Sequence, residues 1–167
     1  LELGRQGADR LQGAFERRLE LRAGVDVDQA VRAALGVADE PAAEAQARAA
    51  RPEVKARVLP QVLSGEKISA LAITEPSGGS DVANLHTKAR RDGDHYVVSG
   101  EKTYITSGIR ADYLTVAVRT GGEGAGGVSL LLIEGDTAGL SRTKLKKMGW
   151  WASDTATLHF DDCRVPA

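Results

Sequence analysis

The fold of this chain is decided by the stretch Leu71-Ala72-Ile73-Thr74-Glu75-Pro76-Ser77-Gly78-Gly79-Ser80-Asp81. It begins with a short apolar run, which is typical of a buried strand. The run breaks at Glu75-Pro76, because a proline biases the residue before it toward an extended conformation. The two glycines of the following loop let the backbone approach a ligand, and successive N–H groups in such a loop can bind an anion. The same composition is also typical of an ordinary strand-to-loop transition.

From Ile68 onward the chain consists of short runs with the composition of β strands. The predicted strands are Ile68–Ile73, Thr87–Arg91, His95–Ser99, Thr103–Thr106, Tyr113–Thr120, Val128–Glu134 and Ala156–Phe160. Turn signals separate them, among them Asp92-Gly93, Ser99-Gly100, Ser107-Gly108 and Asp161-Asp162. Because no helix-length crossover lies between the strands, a parallel sheet is not expected. The spacing predicts an antiparallel barrel or sandwich.

The part of the chain before residue 68 has the pattern of helices. Residues 1–50 are rich in Ala and Arg, and Leu11, Phe15 and Leu19 recur every fourth residue. A better helix is predicted over Pro52–Leu63, because proline suits the first helical position, and Pro60 is expected to end or kink it. The predicted class is therefore α+β, with a helical segment over residues 1–67 and an antiparallel β-barrel-like domain over residues 68–167.

Composition limits the classes of function. The 167 residues make one domain, or one domain plus a piece of another, and 42% of them are apolar, which is enough for a core. A net charge of −1 indicates neither a nucleic-acid partner nor a membrane-surface partner. The single cysteine, Cys163, cannot form an internal disulfide, which fits a cytoplasmic location. The three histidines are far apart, so the sequence predicts no metal site.

The segment Gly122–Gly127 satisfies the pattern G-x-G-x-x-G of dinucleotide-binding loops. That fingerprint requires a helix immediately afterwards, whose N-terminus meets the pyrophosphate. Here the β-rich run Val128–Glu134 follows instead. The segment is therefore interpreted as a flexible hairpin loop.

Two further stretches change the interpretation of the first. One is Lys102-Thr103-Tyr104-Ile105-Thr106-Ser107-Gly108, and the other is Lys147-Met148-Gly149-Trp150-Trp151-Ala152-Ser153-Asp154-Thr155-Ala156. In order and spacing the three resemble the motifs of the acyl-CoA dehydrogenase family, which read Thr-Glu-Pro-x-x-Gly-Ser-Asp, Lys-x-aromatic-Ile-Thr-Asn/Ser-Gly and Lys-x-Gly-x-x-x-Ser-Asp-Thr. The resemblance runs from about Pro52 to the end of the sequence, and residues 1–50 show none.

The resemblance implies that FAD is the cofactor and that an acyl-CoA is the substrate. The implied FAD-binding residues are Leu71, Ala72, Ile73, Thr74, Gly79, Ser80, Tyr104, Ile105 and Thr106. In the family pattern Thr74 bonds the edge of the isoalloxazine ring, Gly79 and Ser80 approach the pyrophosphate, and Ser80 also meets the acyl-CoA. Tyr104 lies beside the ring and Thr106 reaches toward its N5 atom. Leu71 replaces a common aromatic residue, so the acyl pocket is expected to differ.

The family's chemistry, as the resemblance implies it, uses two agents. A glutamate base removes the α-proton of the acyl-CoA, and the flavin accepts a hydride from the β-carbon. The product is a trans-2-enoyl-CoA, and the electrons pass to an electron-transfer flavoprotein. That glutamate lies in a C-terminal helical domain, and neither Glu75 nor Glu101 maps onto it. No catalytic residue is assigned, and the chain is expected to be an inactive fragment whose full-length form is a homo-oligomer.

Two alternatives to a dehydrogenase remain open at the level of sequence. One is an acyl-CoA oxidase, which differs in how oxygen reaches the reduced flavin. The other is a flavin- or CoA-binding remnant without activity. Oxygen consumption with an acyl-CoA would favour the oxidase, whereas a coding extension with a helical domain and a glutamate would argue against the remnant.

Overall fold

One α helix and seven β strands make up residues 51–167, the part of the chain that the computed structural model describes. In chain order they are α1 (Pro52–Leu63), β1 (Ser69–Ala72), β2 (Lys88–Asp92), β3 (His95–Thr106), β4 (Tyr113–Arg119), β5 (Val128–Glu134), β6 (Leu140–Lys144) and β7 (Thr155–Pro166). The predicted helical stripe of Leu11, Phe15 and Leu19 lies outside the described residues.

Helix α1 has the bounds that the sequence predicts. Pro52 occupies its first turn, where a missing N–H breaks no helical hydrogen bond. The negative charge of Glu53 beside it interacts favourably with the positive end of the helix dipole. Pro60 lies inside the helix and does not end it. The helix ends at Leu63, and the N–H of the capping residue Ser64 donates to the carbonyl of Pro60 at 3.0 Å. The inner face of α1 is fully buried at Val58 and Leu59, and this burial stabilises the helix against the loss of one hydrogen bond at Pro60.

The strands form one curled sheet, a half-barrel, in the order β1-β4-β2-β3-β7-β6, with β5 on the other side of β4. The helix-plus-β class is confirmed. However, β1 runs parallel to β4, from Ser69 opposite Tyr113 to Ala72 opposite Val116, and β2 meets β4 in a parallel contact at Lys88. The sheet is therefore mixed, which corrects the prediction of a purely antiparallel domain. A parallel pair needs a connection of a dozen or more residues, and here the β2–β3 hairpin supplies it in place of a helix.

Strands β3 and β7 pair antiparallel from end to end, through two irregularities. At the first, Val98 lies opposite Cys163 and Gly100 lies opposite Phe160, so the predicted turns at Ser99-Gly100 and Asp161-Asp162 form a bulge inside the sheet. Gly100 has a φ of +146°, and a Cβ on it would lie 2.7 Å from the Cα of Thr87. A glycine is required there by both conformation and space. The turn residues at these two positions therefore mark a bulge within the paired strands and not a reversal of the chain.

The hydrophobic core is built from side chains of several strands of the sheet. Its fully buried side chains include Val98, Leu114, Val116, Ile133 and Leu158, which come from β3, β4, β5 and β7. Strand β5 follows the glycine-rich loop directly, which confirms that Gly122–Gly127 is not a dinucleotide-binding fingerprint. No helix within residues 51–167 has the length and apolar character needed to cross a membrane.

Candidate functional site

A buried ion pair joins the first and second motifs. The side chain of Lys102 is 0% exposed and that of Glu75 is 3% exposed. The Lys102 ammonium donates to Glu75 Oε1 at 2.9 Å and to the carbonyl of Ile73 at 2.9 Å. The carboxylate also accepts the main-chain N–H groups of His86 at 2.6 Å and Thr87 at 2.8 Å. Lys102 reaches this position because it shares the inward face of β3 with Val98, where the chain would normally place an apolar residue.

The surroundings of Glu75 keep it ionised. Burial by itself would raise the pKa of the Glu75 carboxyl, but hydrogen bonds from Thr87, His86 and Lys102 outweigh burial and lower the pKa to about 2. Burial lowers the pKa of Lys102, and the hydrogen bond and charge of Glu75 oppose that change. The Glu75 carboxyl is therefore ionised at neutral pH. A carboxylate with so low a pKa is a poor general base, since an efficient base has a pKa near the working pH.

Backbone contacts bring the two predicted flavin segments side by side at Thr74. The N–H of Thr103 donates to the carbonyl of Thr74 at 2.8 Å. Next along β3, Tyr104 occupies the second irregularity of the β3–β7 pairing, with a φ of +59° that is unusual for a bulky residue. Bulges re-aim side chains, and the Tyr104 side chain is 70% exposed. Ile105 then returns to the core and Thr106 is exposed.

The loop after Thr74 closes tightly on itself. Glu75 and Gly78 exchange two backbone hydrogen bonds, at 3.0 and 3.1 Å, so the chain reverses over Pro76-Ser77. Gly79 then passes so close to Thr74 that a Cβ on it would lie 3.2 Å from the Thr74 methyl group. Glycine is favoured at position 79 because a larger residue would crowd the side chain of Thr74. Ser80 follows and is exposed.

The third motif is tied to the end of the second by Asp154. Its Oδ2 accepts the N–H of Ile109 at 2.8 Å, its Oδ1 lies 3.0 Å from Arg110 Nε, and its carbonyl accepts the N–H of Ser107 at 3.1 Å. Just after the third motif, the hydroxyl group of Thr157 lies 3.0 Å from that of Thr103 in the interior. Each of the three motifs is thus bonded to another through main-chain or buried groups.

The nine predicted FAD-binding residues fall into three groups by exposure. Two are buried in the core and can present only main-chain atoms to a ligand: Ala72 and Ile105. Three are half-buried along the first segment: Leu71, Ile73 and Thr74. Four are exposed: Gly79, Ser80, Tyr104 and Thr106.

Sequence reasoning missed the Glu75–Lys102 pair. The sequence predicts that the apolar run breaks at Glu75-Pro76, which the tight turn confirms, but it does not predict the ion partner of Glu75. Counting by twos from the apolar Val98 places Lys102 on the inward face, but only once β3 is known to continue through the predicted turn at Ser99-Gly100. A lysine on an inward face requires a buried partner.

The cluster of Ser77, His86 and Glu75 does not form a nucleophile–base–acid relay. Ser77 Oγ lies 3.0 Å from His86 Nδ1, and Glu75 Oε2 lies 3.6 Å from the same nitrogen. A relay needs the nucleophile and the acid on opposite nitrogens of the imidazole ring. Within residues 51–167 there is also no group of three His, Cys, Asp or Glu side chains that could hold a metal ion.

Comparisons with known proteins identify the class to which this fold and site belong. The family profile "Acyl-CoA dehydrogenase, middle domain" matches residues 70–163. The mitochondrial isobutyryl-CoA dehydrogenase of Dictyostelium discoideum is 47% identical over 116 residues, which cover 68% of this chain and 28% of that protein. The chain belongs to the acyl-CoA dehydrogenase family of oxidoreductases and spans less than a third of the length of that relative.

Solved structures agree with this assignment. An acyl-CoA dehydrogenase from Geobacillus kaustophilus superimposes with a TM-score of 0.73 at 43% identity, covering 82% of this chain and 37% of that one. A glutaryl-CoA dehydrogenase from Mycobacterium smegmatis, solved in complex with FADH2, gives a TM-score of 0.69 at 34% identity. It covers 75% of this chain and 32% of the chain compared.

Proposed function

We propose that this chain supplies part of the FAD and acyl-CoA site of an acyl-CoA dehydrogenase that oxidises the Cα–Cβ bond of its substrate to a trans-2-enoyl-CoA. One observation carries the proposal: the bond from Thr103 N–H to the Thr74 carbonyl holds both flavin-type segments together. Around this junction the side chains of Ser80, Tyr104 and Thr106 remain exposed and available to a ligand. Family membership supports the cofactor and the substrate class.

The residues present fit FAD. Thr74 and Thr106 offer hydroxyl groups to the ring system, and the exposed Tyr104 offers an aromatic face. Ser80 offers a hydroxyl to the pyrophosphate and the acyl-CoA, while Gly79 keeps the adjoining backbone free of a side chain. Leu71, Ala72, Ile73 and Ile105 would line the cofactor, the two buried ones through main-chain atoms alone. Bound FAD would supply the two-electron acceptor, and the protein would supply placement and hydrogen-bond donors.

The acid–base part of the reaction is assigned to no residue between 51 and 167. Glu75 is paired with Lys102 and inaccessible. The Glu101 side chain is half-exposed, and its Oε2 lies 3.6 Å from His159 Nδ1. We therefore place the proton-abstracting carboxylate outside residues 51–167, and we assign electron transfer to an electron-transfer flavoprotein and a homo-oligomeric state to the full-length form.

The test is FAD binding by the 167-residue chain, followed by flavin fluorescence. We expect weak but saturable binding, weakened about fivefold to tenfold by Ser80→Ala or Thr106→Val, since each loses one hydrogen bond of about 1 kcal/mol. The matched control is Thr143→Val, which removes an exposed hydroxyl from β6 and should change nothing. Binding no tighter than about 1 mM in the wild-type chain, or equal affinities in all four proteins, would contradict the proposed site.

Catalysis is tested in a longer protein that contains this sequence, assayed with octanoyl-CoA and an artificial electron acceptor. Turnover with that acceptor, without oxygen consumption, is expected for a dehydrogenase. Oxygen consumption would instead identify an oxidase. Activity of residues 51–167 alone would contradict the placement of the base outside them.

A further inference from the structure

We propose that Lys102 is a positioning residue, which couples the two proposed flavin segments by holding the main chain on both sides of Thr74. The inference deepens the proposed function and rests on it for the identity of the ligand. Lys102 itself is sealed from solvent, so its part is to place other groups.

A single ammonium group, that of Lys102, bonds the residues on both sides of Thr74. Lys102 Nζ donates to the carbonyl of Ile73 and to the carboxylate of Glu75, each at 2.9 Å, and these residues flank Thr74. The next residue of β3, Thr103, donates its N–H to the Thr74 carbonyl at 2.8 Å. Two consecutive residues of the second segment therefore hold three consecutive residues of the first.

The Glu75–Lys102 ion pair also fixes the far end of the loop that carries Gly79 and Ser80. Glu75, at the start of that loop, accepts the N–H groups of His86 and Thr87 at its end. The carboxylate thus holds the loop's two ends together, and Lys102 attaches that closed loop to β3. A shift of the ammonium would move Thr74 and the Ser80 loop as a unit.

The energetics of buried ion pairs distinguish this positioning role of Lys102 from a purely stabilising one. A buried ion pair adds little net stability, because the cost of removing two charges from water offsets their attraction. Breaking one partner leaves an uncompensated buried charge, whereas neutralising both removes that penalty. Stability should therefore recover when both charges are removed, but the placement of Thr74 should not.

The experiment compares Lys102→Met, the double variant Lys102→Met/Glu75→Gln and Ile133→Ala in the 167-residue chain. Ile133 is fully buried in β5, outside both segments, and serves as the destabilised control. Unfolding temperature and FAD affinity are measured for each, the affinity well below every unfolding temperature. We expect both Lys102 variants to bind FAD about tenfold more weakly, although the double variant regains most of the unfolding temperature. Ile133→Ala should lose unfolding temperature and keep its FAD affinity within about twofold.

Two outcomes overturn the inference. One is an FAD affinity that follows unfolding temperature across all variants, as a merely structural role requires. The other is a double variant that recovers both stability and affinity.

A measurement without FAD separates failure of this inference from failure of the proposed function. If the wild-type chain binds no FAD, hydrogen exchange of the Thr103 N–H decides, with the Leu145 N–H, which donates to Thr155 at 2.9 Å, as the reference. We expect Thr103 to lose protection relative to Leu145 in both Lys102 variants but not in Ile133→Ala. Unchanged relative protection at Thr103 overturns the coupling whatever the ligand is.

Discussion

Glu75 is a carboxylate that stays ionised out of contact with water. Its pKa lies at about 2 in the folded chain, below the ordinary 4.5. A carboxyl whose pKa is lower when folded contributes stability above the unfolded value, and that stability is lost as the pH falls through the folded value. The shift corresponds to about 3 kcal/mol at most, because the lowered pKa of Lys102 offsets part of it.

The first prediction concerns Glu75→Gln between pH 6 and pH 2. At pH 6 the variant should be less stable by about 3 kcal/mol, since it leaves the buried Lys102 charge without its partner. The difference should narrow as the pH falls from about 5 to 2, because the wild-type carboxyl becomes protonated. Urea unfolding at several pH values measures it, with Glu123→Gln in the exposed glycine-rich loop as the control. A difference that does not change with pH would show that Glu75 is not ionised through this range.

The second prediction concerns Gly100 in the β3 bulge. Gly100→Ala should lower the free energy of unfolding by about 2–4 kcal/mol, since φ is +146° and the new Cβ would meet the Thr87 backbone. Gly126→Ala is the matched control, because its Cβ would meet no atom within 4 Å. Chemical denaturation of the two variants compares them, and equal stabilities would mean that the bulge relaxes without cost.

At the scale of elements, patterns with one strong physical signal could be read from the sequence. The bounds of α1 follow from Pro52 and the apolar face, and β5 follows from the apolar run Leu130–Ile133. Strand β6 was missed because Leu140–Lys144 carries one apolar residue and pairs only with β7. The parallel pairing of β1 with β4 was missed because hydrophobic periodicity carries no information on which strands become neighbours.

The third prediction tests the link between the second and third motifs. Asp154→Ala removes the acceptor for the Ile109 N–H and the ion pair with Arg110, so we expect a loss of about 1–3 kcal/mol. Hydrogen exchange should show faster exchange at Ile109, while the amides of the β2–β3 hairpin change no more than global stability requires. Asp136→Ala, at an exposed turn position, is the control. Exchange at Ile109 equal to that of the wild type would place the anchor of this turn elsewhere.

At the scale of the whole described molecule, the largest apolar side chains are unevenly placed. Both tryptophans are exposed, Trp150 by 78% and Trp151 by 80%. Met148, two residues before Trp150, is 99% exposed. The core is built mainly from small and medium aliphatic side chains, together with Phe160. The Trp-Trp pair therefore contributes little to the stability of residues 51–167.

The fourth prediction follows from that placement. Trp150→Phe and Trp151→Phe should each change the free energy of unfolding by less than about 0.5 kcal/mol, as exposed substitutions do. Acrylamide should quench tryptophan fluorescence almost equally in the native and unfolded chains. The comparison is with Tyr113→Leu, a buried substitution that should destabilise the protein. Native tryptophans protected from acrylamide would show that this loop is covered in solution.

The candidate site was predictable to the extent that motif residues have fixed backbone requirements. Thr74, Gly79 and Tyr104 could be named from the three motifs, and the structure explains Gly79 by its contact with Thr74. Lys102 and Asp154 were quoted in those motifs without a role. Their importance lies in partners far along the chain, Glu75 and Ile109, and no local pattern encodes such pairings.

Strands β3 and β7 pair although they lie far apart in the sequence, and this separation has a consequence during synthesis on the ribosome. His95 at the start of β3 pairs with Pro166 at the end of β7, 71 residues later, so the nascent chain exposes one edge of β3 until β7 has emerged. At about 5–20 residues per second that interval lasts about 4–15 s. An unpaired strand edge is a template for pairing with other chains. Chaperones that cover β-strand edges should therefore raise the yield of this protein more than faster translation would.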